Sequence, residues 1–154
     1  MHRIVAQTFE SVIKVKYHVP PEMLSRFEIH RIEKGDWIDL RCGEDMEIKA
    51  GETVNIPLGV SMELERGFEA WVAPRSSTLS NYGLIGIFSV IDNSYCGDND
   101  IWHLLAYATR NVSLHCGDRI AQFRVARSMG QMEFKTVDHL GNPDRGGLGS
   151  TGKT

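Results

Sequence analysis

Val54-Asn55-Ile56-Pro57-Leu58-Gly59-Val60-Ser61-Met62-Glu63-Leu64 sets an apolar residue at every second position. A period of two is that of a strand with one face buried. Pro57 falls inside the run, and proline cannot donate to a ladder. The run therefore predicts an edge strand, or two strands with a break. The same alternation spreads outward. Over Val12–Val19, Ile13, Val15, Tyr17 and Val19 alternate with Lys14, Lys16 and His18. Phe68–Pro74, Ile120–Ala126 and Gln131–Asp138 predict further strands. Gly51, Gly67, Gly117 and Gly130 each fall between apolar runs, where tight hairpins need positive φ. Many short strands so spaced indicate an all-β sandwich or barrel. The one helix candidate is Pro21–Lys34, with a proline early and Gly35 behind it. Its apolar residues Met23, Leu24, Phe27, Ile29 and Ile32 make no single stripe.

With 154 residues the chain suits one domain, yet leaves little to wall a deep private pocket. Lys and Arg number 17 against 20 acids, a net charge of −3. That balance argues against a nucleic-acid polymer as partner, since phosphate neutralisation asks for a basic surface. The longest stretch free of charged residues, Ser76 to Ile91, is too polar to span a bilayer, so no membrane partner is expected. The first ten residues hold no apolar signal core, and Cys42, Cys96 and Cys116 form no Cys-x-x-Cys pair. The expectation is a cytoplasmic protein with free thiols, without a disulfide framework or structural zinc.

The C-terminus differs in kind. Residues 141–154 hold Gly-Asn-Pro-Asp-Arg-Gly-Gly-Leu-Gly-Ser-Thr-Gly-Lys-Thr. The division expected is a β domain over 1–140 and a flexible Gly-rich arm over 141–154. Gly147 to Thr154 matches the phosphate-loop pattern G-x-x-x-x-G-K-[ST], whose mechanism requires a following helix. The sequence stops at Thr154, so that match is set aside. On composition alone a disordered polar tail is the plainer reading. Even so, glycines let backbone N–H groups approach a polyanion.

Five segments in order carry the functional signal. They are Asp36-Trp-Ile-Asp39-Leu-Arg41, Ala73-Pro-Arg75-Ser76-Ser77, Val90-Ile91-Asp92-Asn-Ser-Tyr95-Cys-Gly97, Gly117-Asp-Arg-Ile-Ala-Gln122, and Arg145-Gly-Gly-Leu148-Gly149-Ser150-Thr151-Gly152. In this order and spacing the set resembles the five motifs of the trimeric dUTP pyrophosphatases (dUTPases). The resemblance implies an all-β, distorted jelly-roll-like β-barrel. It implies a homotrimer with a swapped or neighbour-wrapping C-terminal arm and sites between subunits. The implied reaction is hydrolysis of dUTP to dUMP and pyrophosphate with Mg²⁺.

The resemblance also assigns roles. Asp92 would be the base that activates water for attack on the α-phosphorus. Taken alone, it would read as a turn aspartate capping local amides. Tyr95 would pack under the deoxyribose and exclude a 2′-OH. Arg75, Ser76 and Ser77 would contact the phosphate chain, with Gln122 near the α-phosphate. Gly86, Val90 and Ile91 belong to the hairpin that would read uracil. Arg145, Gly149, Ser150 and Thr151 would close over the γ-phosphate, and Leu148 stands where the family carries a phenylalanine over the base. Mg²⁺ would ride on the triphosphate and waters, with no direct protein ligand. Asp39 either meets its shell through water or is a structural residue at a strand start.

Three departures from the family pattern stand out: the last motif is about two residues short, with Leu148 in place of the stacking aromatic; Ser76 to Ile91 is about two residues shorter than usual before the aspartate; and Ser89 replaces a usual glycine. The missing aromatic makes Trp102 a candidate lid, against core packing as the plainer reading. Two rival functions follow the same resemblance. A dCTP deaminase would need a glutamate where Cys96 stands. A regulatory protein-binding module of this fold would not need Asp92, Tyr95 and Gln122 together.

Overall fold

The computed structural model describes residues 12–31 and 33–146. The expectation of an all-β fold holds. Among the described residues, eleven strands run in chain order: β1 (Val15–His18), β2 (Ile38–Arg41), β3 (Met46–Ile48), β4 (Thr53–Pro57), β5 (Ser61–Leu64), β6 (Phe68–Pro74), β7 (Leu84–Gly86), β8 (Ser89–Ile91), β9 (His103–Ala108), β10 (Val112–Leu114) and β11 (Arg119–Arg127). Two short helices interrupt them, α1 (Leu24–Phe27) after a 3₁₀ turn over Pro21–Met23, and α2 (Thr78–Tyr82).

The strands form four antiparallel sheets, ordered β2-β11-β6-β8, β4-β9-β7, β1-β5 and β3-β10. The inner faces of the two larger sheets meet in one apolar core. Leu40, Val72 and Phe123 come from the first, and Ile56, Leu84, Leu104 and Ala106 from the second. Phe123 packs edge-to-face on Trp102 across that core, ring centres 5.4 Å apart. Burying such aromatics stabilises the fold by roughly 1.5–3 kcal/mol each.

The Val54–Leu64 alternation resolves into the broken form. β4 ends at Pro57, β5 starts at Ser61, and the two belong to different sheets. Gly59 turns between them at φ +66°, and a Cβ there would lie 2.6 Å from the Phe27 ring. Phe27 is the buried end of α1, which explains why the predicted Pro21–Lys34 helix stops early. Its one buried side chain is already seated, and Glu28 leaves the helical region at ψ 128°.

Gln131–Asp138 is a correction. No strand forms there, and residues 129–146 are exposed and without regular structure. Phe134 is 86% exposed. Among the described residues, the segment's alternating apolar residues pair with no sheet edge.

Candidate active site

Two clusters of the sequence-selected residues emerge, at opposite ends of β6. The first is at its carboxyl end. There β11 lies between β2 and β6, so that Gln122 faces Asp39 on one side and Ala73 on the other. The β11–β2 register slips between Arg119 and Ala121. A bulge of this kind re-aims neighbouring side chains. Arg75, just past β6, donates from Nε to Asp39 Oδ1 at 2.8 Å. Arg119 donates to Asp39 Oδ2 at 3.3 Å. Gln122 Nε2 donates to the Pro74 carbonyl at 3.1 Å.

The Asp39 and Arg75 side chains are 35% and 26% exposed, so water screens the pair. Such pairs contribute on the order of 1 kcal/mol or less. Their value lies in aiming two guanidinium groups into one cleft. That cleft encloses about 380 Å³ beside Lys34, Trp37, Arg75, Ser76, Arg119 and Gln122. Fixed donors around an open space suit a phosphate chain, because they need no reorganisation when the charge arrives.

The second cluster is the turn after β8. Asp92 is exposed, and its Oδ1 accepts from the Ser94 amide at 2.8 Å and the Ser94 hydroxyl at 2.5 Å. The Ser94 hydroxyl, then its amide, hold the Asp92 carboxyl below the ordinary aspartate range. It is therefore an ionised acceptor at neutral pH, with Oδ2 accepting no bond among the described residues. The Asn93 amide pins the turn by donating to the carbonyls of Leu64, Glu65 and Phe68 at 3.0, 3.1 and 3.3 Å. Tyr95 remains half-exposed, its hydroxyl donating to Ile101 O at 3.2 Å.

These clusters do not meet within one chain. β8 runs antiparallel to β6 with Ile91 opposite Ala70, which sets Asp92 level with Glu69. Arg75 lies six residues further along, about 20 Å at ~3.3 Å per strand residue. Between them, Gly86 ends β7 against Pro74, where a Cβ would come within 2.8 Å. The chain then crosses from the β7 sheet to the β8 sheet through exposed Ile87 and Phe88, reaching Val90 and Ile91.

Trp102 is also corrected. It is 0% exposed and packed on Phe123, so it is a core residue and cannot lie over a base. Arg145 is exposed near the end of the described residues, whereas Leu148, Gly149, Ser150 and Thr151 lie outside them. Among the described residues no cluster of three or more His, Cys, Asp or Glu is placed to hold a metal ion. Asp36 and Asp39 both line the cleft, and Asp39 is the one paired with Arg75 and Arg119. No helix among them is long and apolar enough to cross a membrane. Cys42, Cys96 and Cys116 are free, and burial pushes the Cys42 thiol up to about 11.

Sequence reasoning overlooked Arg119, Thr78 and Asn93. Arg119 sits inside the fourth motif, three residues before Gln122, and its charge was a signal in plain view. Thr78 and Asn93 carry no signal without the fold, because both bond to backbone atoms distant in sequence.

Comparison with known proteins points the same way. The dUTPase family profile matches residues 35–152. The chain is 53% identical over 142 residues to the SPbeta prophage-derived deoxyuridine 5'-triphosphate nucleotidohydrolase YosS of Bacillus subtilis, covering 91% of this chain and 97% of that one. Among solved structures it resembles a variant dUTPase of Staphylococcus bacteriophage 80alpha with dUpNHpp. The TM-score is 0.73 at 15% identity, over 90% of this chain and 98% of that one. It also resembles a variant dUTPase of phage phi11 of S. aureus that coordinates a structural Mg(II) ion. There the TM-score is 0.70 at 14% identity, over 82% and 98%. These two likenesses carry the jelly-roll-like fold.

Proposed function

The chain belongs to the dUTPase family, and on that premise we propose that it hydrolyses dUTP to dUMP and pyrophosphate at sites shared between subunits of a homotrimer. The observation that carries the shared site is the separation along β6. The phosphate cleft and Asp92 lie about 20 Å apart in one chain, farther than in-line chemistry at a single phosphorus allows. A second copy must bring its Asp92 turn to the cleft. An exposed apolar strip supports that assembly: Ile85, Leu105 and Tyr107 point outward from β7 and β9, with Ile87 beside them. Such contiguous apolar surface marks a contact face.

In the assembled site, Arg75, Arg119, Ser76 and Ser77 bind the phosphate chain, and Gln122 donates near the α-phosphate. Asp92, ionised and exposed, orients a water and takes its proton as the water attacks the α-phosphorus. Tyr95 and the backbone of Gly86, Val90 and Ile91 form the nucleoside side. The arm over 141–154 brings Arg145, Leu148, Gly149, Ser150 and Thr151 to the terminal phosphates. Mg²⁺ would be held by the triphosphate and waters, and Asp39, the carboxylate beside the phosphate donors, would meet that water shell. When bound, the ion neutralises phosphate charge and steadies the leaving pyrophosphate. The free thiols accord with a cytoplasmic enzyme.

Product identity tests this reading. Pyrophosphate and dUMP released from dUTP, with no ammonia from dCTP, is the expected result. Ammonia from dCTP would assign a deaminase instead. A chain that binds a protein partner while turning over neither nucleotide would be a regulatory module.

A further inference from the structure

Thr78 is fully buried, although it is polar and opens α2, directly after the turn that follows β6. Its hydroxyl is bonded in both directions. Oγ1 accepts from the Arg75 amide at 3.0 Å and donates to the Ile120 carbonyl at 2.7 Å. The Thr78 amide in turn donates to the Arg75 carbonyl at 3.0 Å. Both backbone polar groups of Arg75 are therefore committed to one residue. Ile120 is the residue that the β11 bulge leaves out of register with β2, and a bulged residue has lost its ladder partner. The Arg75 guanidinium also donates to the Arg119 carbonyl at 3.4 Å, the next residue along.

We propose that Thr78 is a positioning residue for the triphosphate, a side-chain rivet that fixes the Arg75–Ser76 turn against the Arg119–Gln122 segment. It rests on the reading of the cleft as a phosphate site. Thr78 touches no substrate. It acts by holding the spacing between two sets of phosphate donors that come from loops far apart in sequence. A serine can do the same work, since only the hydroxyl is used. A valine keeps the volume but leaves the part-buried Arg75 N–H and the buried Ile120 C=O unpaired, so the turn must shift to satisfy them.

The test compares wild type, Thr78→Val and Thr78→Ser for binding of pyrophosphate with Mg²⁺ and of deoxyuridine by calorimetry, alongside dUTP kinetics. Thr78→Val is expected to weaken pyrophosphate and raise KM for dUTP by about tenfold, with deoxyuridine affinity within about twofold of wild type. Thr78→Ser restores pyrophosphate binding. Unchanged pyrophosphate affinity in the valine variant overturns the proposal. So does an equal loss of both ligands, which would make Thr78 merely structural. If the valine variant does not fold, Thr78→Cys replaces it. Its longer, weaker thiol bonds predict an intermediate loss, and wild-type affinity there overturns the proposal. Pyrophosphate binding that depends on Thr78, without dUTP turnover by wild type, would sink the proposed activity and leave this role standing. Absence of pyrophosphate binding by wild type would sink this role.

Discussion

The two ends of β6 are built differently. At the Pro74 end the guanidinium and amide donors are already held: Arg75 and Arg119 by Asp39, Gln122 by a carbonyl, and the turn itself by Thr78. At the Phe68 end Asp92 is exposed and held only by its neighbour Ser94. The difference reflects what each end must do. A polyanion is bound best by donors fixed before it arrives. On the proposed reading, a base must keep one oxygen free for water, and this one would also wait for another subunit to deliver the phosphorus.

The largest effect should come from removing the base. Asp92→Asn keeps the turn but cannot take a proton, so kcat should fall by about 10²–10⁴ while dUTP still binds. Rapid-quench turnover with a parallel binding measurement checks this. Wild-type kcat in that variant would break the assignment of the two ends.

A smaller effect should follow from Asn93→Ala, which removes the amide that ties the Asp92 turn to Leu64, Glu65 and Phe68. We expect a loss of about 1–2 kcal/mol of stability in urea unfolding. A drop in kcat with little change in pyrophosphate affinity should accompany it. Loss of pyrophosphate affinity instead would mean that the two ends are not independent.

The smallest effect is electrostatic. Ser94 depresses the Asp92 carboxyl. A carboxylate with a lowered folded-state pKa contributes its stability above the unfolded value and loses it as pH falls through the folded one. For activity the sign is the same, since the base is lost on protonation. Ser94→Ala should shift the acid limb of the kcat profile to higher pH and leave the plateau nearly intact. An unmoved limb would separate the profile from Asp92.

Much of this was legible from residue order. Alternation marked β6 and β11 nearly to their ends; Gly51, Gly67 and Gly117 do turn with φ of 87°, 88° and 100°, but the strands they join lie in different sheets and not in the tight hairpins expected. Motif order singled out Asp39, Arg75 and Gln122, which the sheet register brings together. For Trp102 the plainer reading, core packing, holds and the lid alternative fails, because its partner Phe123 lies on a strand remote in sequence. Gln131–Asp138 misled because alternation describes a face to be buried and cannot say whether its own chain supplies the cover. The distance between Asp92 and Arg75 was also hidden, because it depends on β8 pairing antiparallel to β6.

Mixed trimers test the shared site most directly. Asp92→Asn and Arg75→Ala subunits, each inactive alone, are unfolded together, refolded at equal ratio and assayed for dUTP hydrolysis. If each site draws Arg75 from one chain and Asp92 from another, random assortment makes roughly a quarter of the sites intact, and activity returns. If both residues serve the same site from one chain, every site carries a lesion, and the mixture stays as inactive as its parts.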